Sequence, residues 1–78
     1  MHVQAKLFAS LQRYAGVKAG SPIDLDLPDG ATVADLMQHL RVPSEEVRLV
    51  YVNGCAHSED WQLASGDEVG IFPPIGGG

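Results

Sequence analysis

The 78-residue sequence has few cysteines, few basic residues and no long apolar run. Cys55 is the sole cysteine, so an internal disulfide is excluded and a reducing compartment is favoured. Five Lys and Arg stand against ten Asp and Glu, too few to neutralise nucleic-acid phosphates. No apolar run approaches the roughly 20 residues that cross a bilayer, and residues 1–6 do not resemble a signal peptide. We therefore expect a cytoplasmic protein that binds neither nucleic acid nor membrane.

Residue types that hold metals or perform catalysis are present but poorly spaced. His2, His39 and His57 do not have metal-ligand spacing with Cys55. The sequence also contains no nucleophile triad, no phosphate-binding loop and no paired carboxylates suited to acid–base catalysis. We therefore expect no bound metal, no bound cofactor and no catalytic side chain.

Hydropathy patterns predict one small domain with four strands. Hydrophobic residues make up 45% of the chain and charged residues 19%, which is typical of a globular protein. At this length one small core is expected. Apolar and polar residues alternate with period two in four segments, 2–8, 23–27, 48–52 and 68–72. A short helical turn is predicted at 10–15, before Gly16.

One amphipathic helix is predicted between the second and third strands. Thr32 is a good N-cap, with Asp35 three residues later as in a capping box, and Pro43 is expected to end the helix. Apolar residues recur at the spacing of one helix face: Val33, Leu36, Met37 and Leu40. If the first and last strands lie side by side and parallel, this order gives an α+β fold of the β-grasp (ubiquitin-like) class. Such a fold has a mixed sheet with one main helix across one face.

The sequence changes character after residue 72. Residues 1–72 are predicted to form the domain, and 73–78 a flexible tail ending in Gly-Gly. Pro73 and Pro74 favour extended polyproline II, which makes a stiff arm. Six extended residues reach at most about 20 Å, enough to deliver a terminal carboxylate into the active site of another protein.

Three glycines end the sequence, and Gly78 is the last of them. Glycine has no Cβ, so this segment can enter a channel too narrow for other residues. Attack on an activated carboxyl carbon is also least hindered at glycine. A loose chain end without a function is the alternative.

Several sequence blocks resemble one family. Val52-Asn53-Gly54, 63–69 and 72–78 look like the MoaD/ThiS family of ubiquitin-like sulfur carriers, and most like the small subunit of molybdopterin synthase. The segment 7–11 matches the first strand of that family, and the resemblance spans nearly the whole chain. Thiamine-pathway carriers share the fold and the Gly-Gly end but usually lack Phe-Pro-Pro. As a departure from the pattern, Gly76 stands where the family often has Ser, Ala or Thr.

The resemblance implies a role in molybdenum cofactor biosynthesis. An E1-like (MoeB-like) enzyme would use ATP to adenylate the carboxylate of Gly78, and a sulfur donor such as a cysteine desulfurase would convert it to a thiocarboxylate. The tail would then enter the large, MoaE-like subunit of molybdopterin synthase, which carries the catalytic side chains, and pass sulfur to precursor Z for the dithiolene. The segment implied to enter the partner comprises Pro73, Pro74, Ile75, Gly76 and Gly77.

Two phenylalanines near the tail are candidates for partner docking. If the helix covers the opposite face, Phe8 and Phe72 point away from it on adjacent strands. Exposed aromatic residues mark partner sites, although the pair could instead form a satellite cluster with Pro73. The resemblance adds Ala56 to the docking region. The third strand leaves two outward pairs open: Leu49 with Tyr51, or Val50 with Val52.

Two other functions use the same fold and tail. A ubiquitin-like modifier would join activated Gly78 to lysines of other proteins through isopeptide bonds. A sulfur carrier of another pathway, such as thiamine thiazole or a tungsten cofactor, would carry the same glycines. The Phe-Pro-Pro segment and the two phenylalanines favour molybdopterin synthase over both.

Overall fold

The structure is a computed structural model and describes residues 1–14 and 21–74. Its strands and α-helix are β1 (His2–Leu7), β2 (Ile23–Asp26), α1 (Val33–Leu40), β3 (Leu49–Val52), β4 (Cys55–Ala56) and β5 (Glu68–Phe72). Two 3-10 helices lie at Ala9–Tyr14 and Ser44–Glu46. Within the described ranges, no helix is both long and apolar enough to cross a membrane.

The strands form one mixed sheet in the order β2-β1-β5-β3-β4. β1 and β5 lie parallel at its centre, with Ala5 opposite Val69 and Leu7 opposite Ile71. The other neighbouring strands are antiparallel. The predicted β-grasp fold is therefore confirmed, including the parallel pairing of the first and last strands.

The hydrophobic core lies between one face of the sheet and α1. Alternate strand residues on this face are buried, as period two requires. The helix buries the four predicted positions: Val33, Leu36, Met37 and Leu40. The sheet residues include Val3, Ala5, Leu7, Val50, Val52, Val69 and Ile71. Each large aliphatic side chain buried here contributes about 1.5–3 kcal/mol to folding.

Local side-chain chemistry sets the start of α1, and backbone conformation sets its end. Thr32 Oγ1 accepts a hydrogen bond from the Asp35 amide (3.3 Å), and Asp35 Oδ2 accepts one from the Thr32 amide (2.9 Å), so the predicted capping box is present. The helix ends shortly before Pro43, as predicted, although the proline itself is not the capping residue. Arg41 ends it two residues earlier, in the left-handed region at φ 61°, while the Val42 amide donates to Met37 O.

A strand that the sequence did not predict completes the sheet. Asn53 (φ 51°) and Gly54 (φ 83°) form a two-residue turn of the kind that joins hairpin strands. Cys55–Ala56 then pairs antiparallel with β3 and lies outside the four predicted strands. A strand of two residues is too short to produce a period-two signal, so hydropathy alone could not find it.

The remaining differences concern element boundaries. β1 ends at Leu7 rather than at residue 8, β2 at Asp26, and β3 begins at Leu49. The predicted turn at 10–15 is the 3-10 helix Ala9–Tyr14. Residues 15–20, with Gly16, and the tail from residue 75 lie outside the described residues.

Candidate functional site

The sheet face opposite α1, named here the open face, carries residues that the core does not use. Val50 and Val52 are buried on the helix side, which leaves Leu49 exposed and Tyr51 half-buried on the open face. This orientation resolves the choice that the sequence left open for the third strand. The open face therefore gains Tyr51 as an aromatic residue.

Phe8, Tyr51 and Phe72 form an aromatic cluster on the open face. The rings of Phe8 and Phe72 are stacked, with centroids 4.3 Å apart and planes within 1° of parallel. Tyr51 meets Phe72 edge-on, at 5.6 Å and 89°. Both geometries are favoured between aromatic rings, each contributing about 0.5–1.5 kcal/mol beyond area burial. The predicted orientation of the two phenylalanines away from the helix is confirmed, and the cluster holds them in a fixed arrangement.

Gly70 provides the space over which the stacked rings lie. A Cβ atom at this position would lie 3.4 Å from Phe8 Cε2 and 3.5 Å from Phe72 Cε1. A methyl group would just fit, and a branched side chain would displace the rings. Sequence analysis did not single out Gly70, although a glycine inside a strand often marks a close approach of this kind.

The open face has an aromatic end and a polar end. An open depression of about 460 Å³ runs between them, lined at the polar end by Gln4, Asn53 and Glu68. Gln4 Nε2 donates to Asp24 Oδ1 at 3.0 Å, and Asn53 Oδ1 accepts from the Glu68 amide at 3.0 Å. These hydrogen bonds hold Gln4 to β2 and Asn53 to β5, while the aromatic rings lie at the other end of the depression.

Ala56 lies beside the aromatic cluster. It is the cross-strand neighbour of Tyr51, and Tyr51 is in turn opposite Gly70 on β5. Directly paired residues share a face, so Ala56 is exposed on the open face at the β4 edge. The structure thus brings together the three residues predicted for docking, while docking itself stays a prediction.

The tail leaves the sheet next to the aromatic cluster. The carbonyl of Phe72 accepts a hydrogen bond from the Arg48 amide at 2.8 Å, and the carbonyl of Ile71 accepts one from the Phe8 amide at 3.2 Å. These two hydrogen bonds fix the end of β5. Pro73 is half-buried and Pro74 exposed, both beyond the last strand. Ile75, Gly76, Gly77 and Gly78 lie outside the described residues, so their insertion into a partner and the modification of Gly78 stay predictions.

A charged cluster braces the segments that hold the end of β5. Arg13 Nη2 donates to Tyr14 OH at 3.1 Å, and both side chains hydrogen-bond to the carboxylate of Glu46. The hydrogen bond to Tyr14 and the negative charge of Glu46 raise the pKa of Arg13, so its guanidinium stays charged. These contacts join the 3-10 helix after Phe8 to the one that precedes β3. Sequence separation of more than thirty residues hid this cluster from pattern analysis.

The described part of the chain, residues 1–14 and 21–74, contains no group of three or more His, Cys, Asp or Glu arranged to hold a metal ion. Cys55 is exposed. The expectation that the chain binds no metal and no cofactor stays a prediction.

Comparison with known proteins identifies relatives along almost the whole chain. Residues 5–78 match the ThiS family. A Pyrococcus furiosus protein described as a "putative molybdopterin converting factor, subunit 1" is 32% identical, with a TM-score of 0.76, over 96% of this chain and 99% of its own. Small archaeal modifier protein 1 of Haloferax volcanii is 30% identical, with a TM-score of 0.76, over 95% and 98%. No curated protein matches.

A more distant structure supports the fold alone. Caldiarchaeum subterraneum ubiquitin is 21% identical, with a TM-score of 0.56 over the full length of both chains. ThiS-type proteins are small ubiquitin-like sulfur carriers, generally non-catalytic, that work with E1-like activating enzymes and separate catalytic partners. Because the family match runs from the first central strand to the last glycine, and the sheet has the β-grasp topology, this chain belongs to the ThiS family of ubiquitin-like sulfur carriers.

Proposed function

We propose that this chain is the sulfur-carrying small subunit of a molybdopterin synthase. The observation that carries the proposal is the ordered aromatic cluster at the root of the Phe72-Pro73-Pro74 arm. A partner that contacts the cluster would receive the tail at a fixed distance from its docking surface. The 32% identical relative named for molybdopterin conversion supports this choice of pathway.

The aromatic cluster has the properties of a docking anchor. Its rings are half-buried and locked by stacking, so few rotamers are lost when a partner covers them. Large aromatic residues in this setting supply much of the binding energy of protein interfaces. Exposed Leu49 is paired with Phe72 across the strands and extends the apolar area. We therefore assign Phe8, Phe72 and Ala56, together with Tyr51, to the contact with the large subunit.

The proposed chemistry takes place on the terminal carboxylate of Gly78. A carboxylate oxygen attacks the α-phosphorus of ATP on an E1-like enzyme, and pyrophosphate leaves. Sulfide, or its equivalent from a sulfur donor, then attacks the acyl carbon and AMP leaves, which gives a thiocarboxylate. On the large subunit the thiocarboxylate sulfur attacks a carbon of precursor Z and displaces an oxygen substituent from that carbon, which joins the two molecules through a thioester. Water then attacks the acyl carbon of this thioester, so that the sulfur leaves with the pterin as a thiolate and Gly78 returns to a carboxylate. The chain is thus a recyclable co-substrate.

The proposal is tested by intact mass spectrometry. The purified chain is incubated with its E1-like enzyme, ATP and sodium sulfide. The starting mass establishes whether Gly78 is the last residue, and we expect a gain equal to the replacement of one oxygen by one sulfur. Deleting Gly76, Gly77 and Gly78 together is the control and should abolish the gain, because deletion of Gly78 alone would leave a Gly-Gly end. An unchanged mass in the presence of an active E1-like enzyme would refute the sulfur-carrier assignment.

The choice of pathway needs a second measurement. The thiocarboxylated chain is mixed with a molybdopterin synthase large subunit and precursor Z, and molybdopterin is measured as its fluorescent oxidation product. Formation of molybdopterin supports the proposal. A thiocarboxylate that forms but does not support this reaction would instead assign the chain to another sulfur pathway, such as thiamine thiazole or tungsten cofactor synthesis.

A protein-modifier function is the second candidate, favoured by the 30% identity to small archaeal modifier protein 1. The activated carboxyl of Gly78 would then be attacked by a lysine amine, and AMP would leave as an isopeptide bond forms. Digested cell extracts would contain lysines that bear a C-terminal fragment of this chain. Their absence in cells that contain the thiocarboxylate would exclude the modifier function under those conditions.

A further inference from the structure

The loop that follows β4 exposes the sole tryptophan of the chain. Trp61 is 45% exposed, more than any other large hydrophobic residue in ranges 1–14 and 21–74. One face of its indole is stacked on the imidazole of His57, with centroids 3.8 Å apart and planes 15° from parallel. The indole is therefore held in a defined orientation although much of it faces solvent.

Backbone hydrogen bonds, rather than burial of the indole, anchor this loop. The carbonyl of Trp61 accepts a hydrogen bond from the Val33 amide at 3.0 Å, and the carbonyl of Glu59 accepts one from the Ala34 amide at 2.8 Å. Both donors belong to the first turn of α1, where amides lack partners within the helix. A bridge between Thr32 and Gln62 adds to the attachment. Since these bonds position the loop, the exposed indole is available for an intermolecular contact.

The loop around Trp61 carries two carboxylates in addition to the stacked imidazole of His57. Asp60 and Gln62 line an open depression of about 440 Å³ beside the indole. The carboxylate of Glu59 accepts a hydrogen bond from the Ser44 hydroxyl at 2.8 Å, and the carboxylate of Asp60 accepts one from the Ser58 hydroxyl. Within the described ranges, no lysine or arginine forms an ion pair with either carboxylate. The site thus combines an aromatic surface with unbalanced negative charge.

We propose that Trp61, Asp60 and Gln62 form a second protein-contact site, which receives an arginine side chain of a partner protein. A guanidinium stacks on an indole and gains cation–π attraction, for which tryptophan is the best aromatic partner. Its N–H groups donate to the carboxylate of Asp60 and to the amide oxygen of Gln62. Arginine suits the site better than lysine because its planar group can stack and hydrogen-bond at the same time.

This arginine site is separate from the aromatic cluster. Its loop is bonded to the first turn of α1, and α1 lies on the sheet face opposite Phe8 and Phe72. A partner can therefore occupy the arginine site while another covers the open face and takes the tail. The site does not depend on the pathway in which the chain works.

The test uses the fluorescence of Trp61, because it is the only tryptophan in the sequence and its emission is not mixed with that of another tryptophan. A capped pentapeptide, glycine-arginine-glycine-arginine-glycine, is titrated into the full chain at low ionic strength. We expect a saturable change in Trp61 emission. The same peptide with citrulline in place of arginine has nearly the same shape without the charge, and it should leave the emission unchanged. An equal response to both peptides would overturn the proposal.

Charge variants locate the binding. Asp60→Asn keeps a side-chain oxygen that can accept a hydrogen bond from the Ser58 hydroxyl, and it leaves the fluorescence of Trp61 available. Because the variant removes the negative charge that pairs with the guanidinium, it should weaken peptide binding about tenfold. Asp26→Asn removes the same charge from β2, at the opposite edge of the sheet from β4, and should leave binding unchanged. If both variants weakened binding equally, attraction by the overall negative charge would explain the data and the arginine site would be rejected. Circular dichroism of each variant establishes that it is folded.

Discussion

The two faces of the central sheet are built from the same strands but differ in composition and in burial. On β5, Val69 and Ile71 point into the core and are 1% and 0% exposed, while Gly70 and Phe72 alternate with them on the open face. The helix face is aliphatic and closed by α1. The open face carries aromatic rings that are ordered among themselves but left half-exposed.

If a partner docks on the open face as proposed, stability and recognition are separated by residue parity. Side chains one position apart on a strand lie on opposite faces, so neighbouring substitutions should affect different properties. Substitutions on the helix face should lower the free energy of unfolding. Those on the open face should change partner affinity in a domain that remains folded. The predictions below probe this separation.

The largest effect on folding is expected for Ile71→Ala. Ile71 is fully buried between the sheet and the helix, and truncating such a residue typically costs about 2–5 kcal/mol. That is a large share of the roughly 5–15 kcal/mol of a small domain. Urea denaturation should report the loss. Lys6→Ala, on the open face, is the matched control and should change the free energy of unfolding by less than about 0.5 kcal/mol. Equal effects would remove the distinction between the faces.

The largest effect on binding is expected for Phe72→Asp. A charge placed inside the aromatic cluster would have to lose its water when a partner docks, so affinity should fall by about 2 kcal/mol or more, roughly thirtyfold. Isothermal titration calorimetry with the large subunit of molybdopterin synthase measures this change. Glu68→Gln, at the polar end of the same strand, should have little effect. Unaltered affinity of a folded Phe72→Asp variant would show that the docking surface lies elsewhere.

An intermediate effect is expected at Gly70. Gly70→Val should push Phe8 and Phe72 out of their stacked arrangement, because a Cβ atom alone already reaches contact distance from both rings. Affinity for the partner should fall about tenfold, with the fold retained. Gly70→Ala adds only the atom that fits and should bind nearly as the parent does. If valine and alanine behaved alike, the stacking geometry would be irrelevant to docking.

Sequence reasoning succeeded where the signal was local. Alternation placed the longer strands, and Thr32 with Asp35 fixed the helix start because a capping box lies within four consecutive residues. Parallel pairing of the first and last strands then implied that Phe8 and Phe72 are neighbours. That inference was the one non-local step, and the register of β1 and β5 confirms the pairing.

The features that sequence reasoning missed depend on contacts between distant segments or on very short elements. Tyr51 joins the aromatic cluster only because β3 pairs with β5. The sequence could not show which face of the sheet Tyr51 occupies, because both sets of alternate residues in the third strand are apolar. β4 is two residues long, and the stack of His57 on Trp61 is formed by a loop without periodicity. The helix ends where Arg41 adopts the left-handed conformation. Glycine is the usual residue at such a position, so an arginine there gives no sequence signal for the end of the helix.

The smallest expected effect tests whether the helix side can be weakened without altering recognition. Thr32→Ala removes the hydroxyl that accepts the Asp35 amide, which should cost about 1 kcal/mol of stability. Thr32→Ser keeps the hydroxyl and should remain within a few tenths of the parent. Because the cap lies at the start of α1, away from the aromatic cluster, neither variant should change partner affinity while the domain is folded. A fall in affinity for Thr32→Ala, measured by calorimetry well below its melting temperature, would mean that the two faces are coupled through the helix.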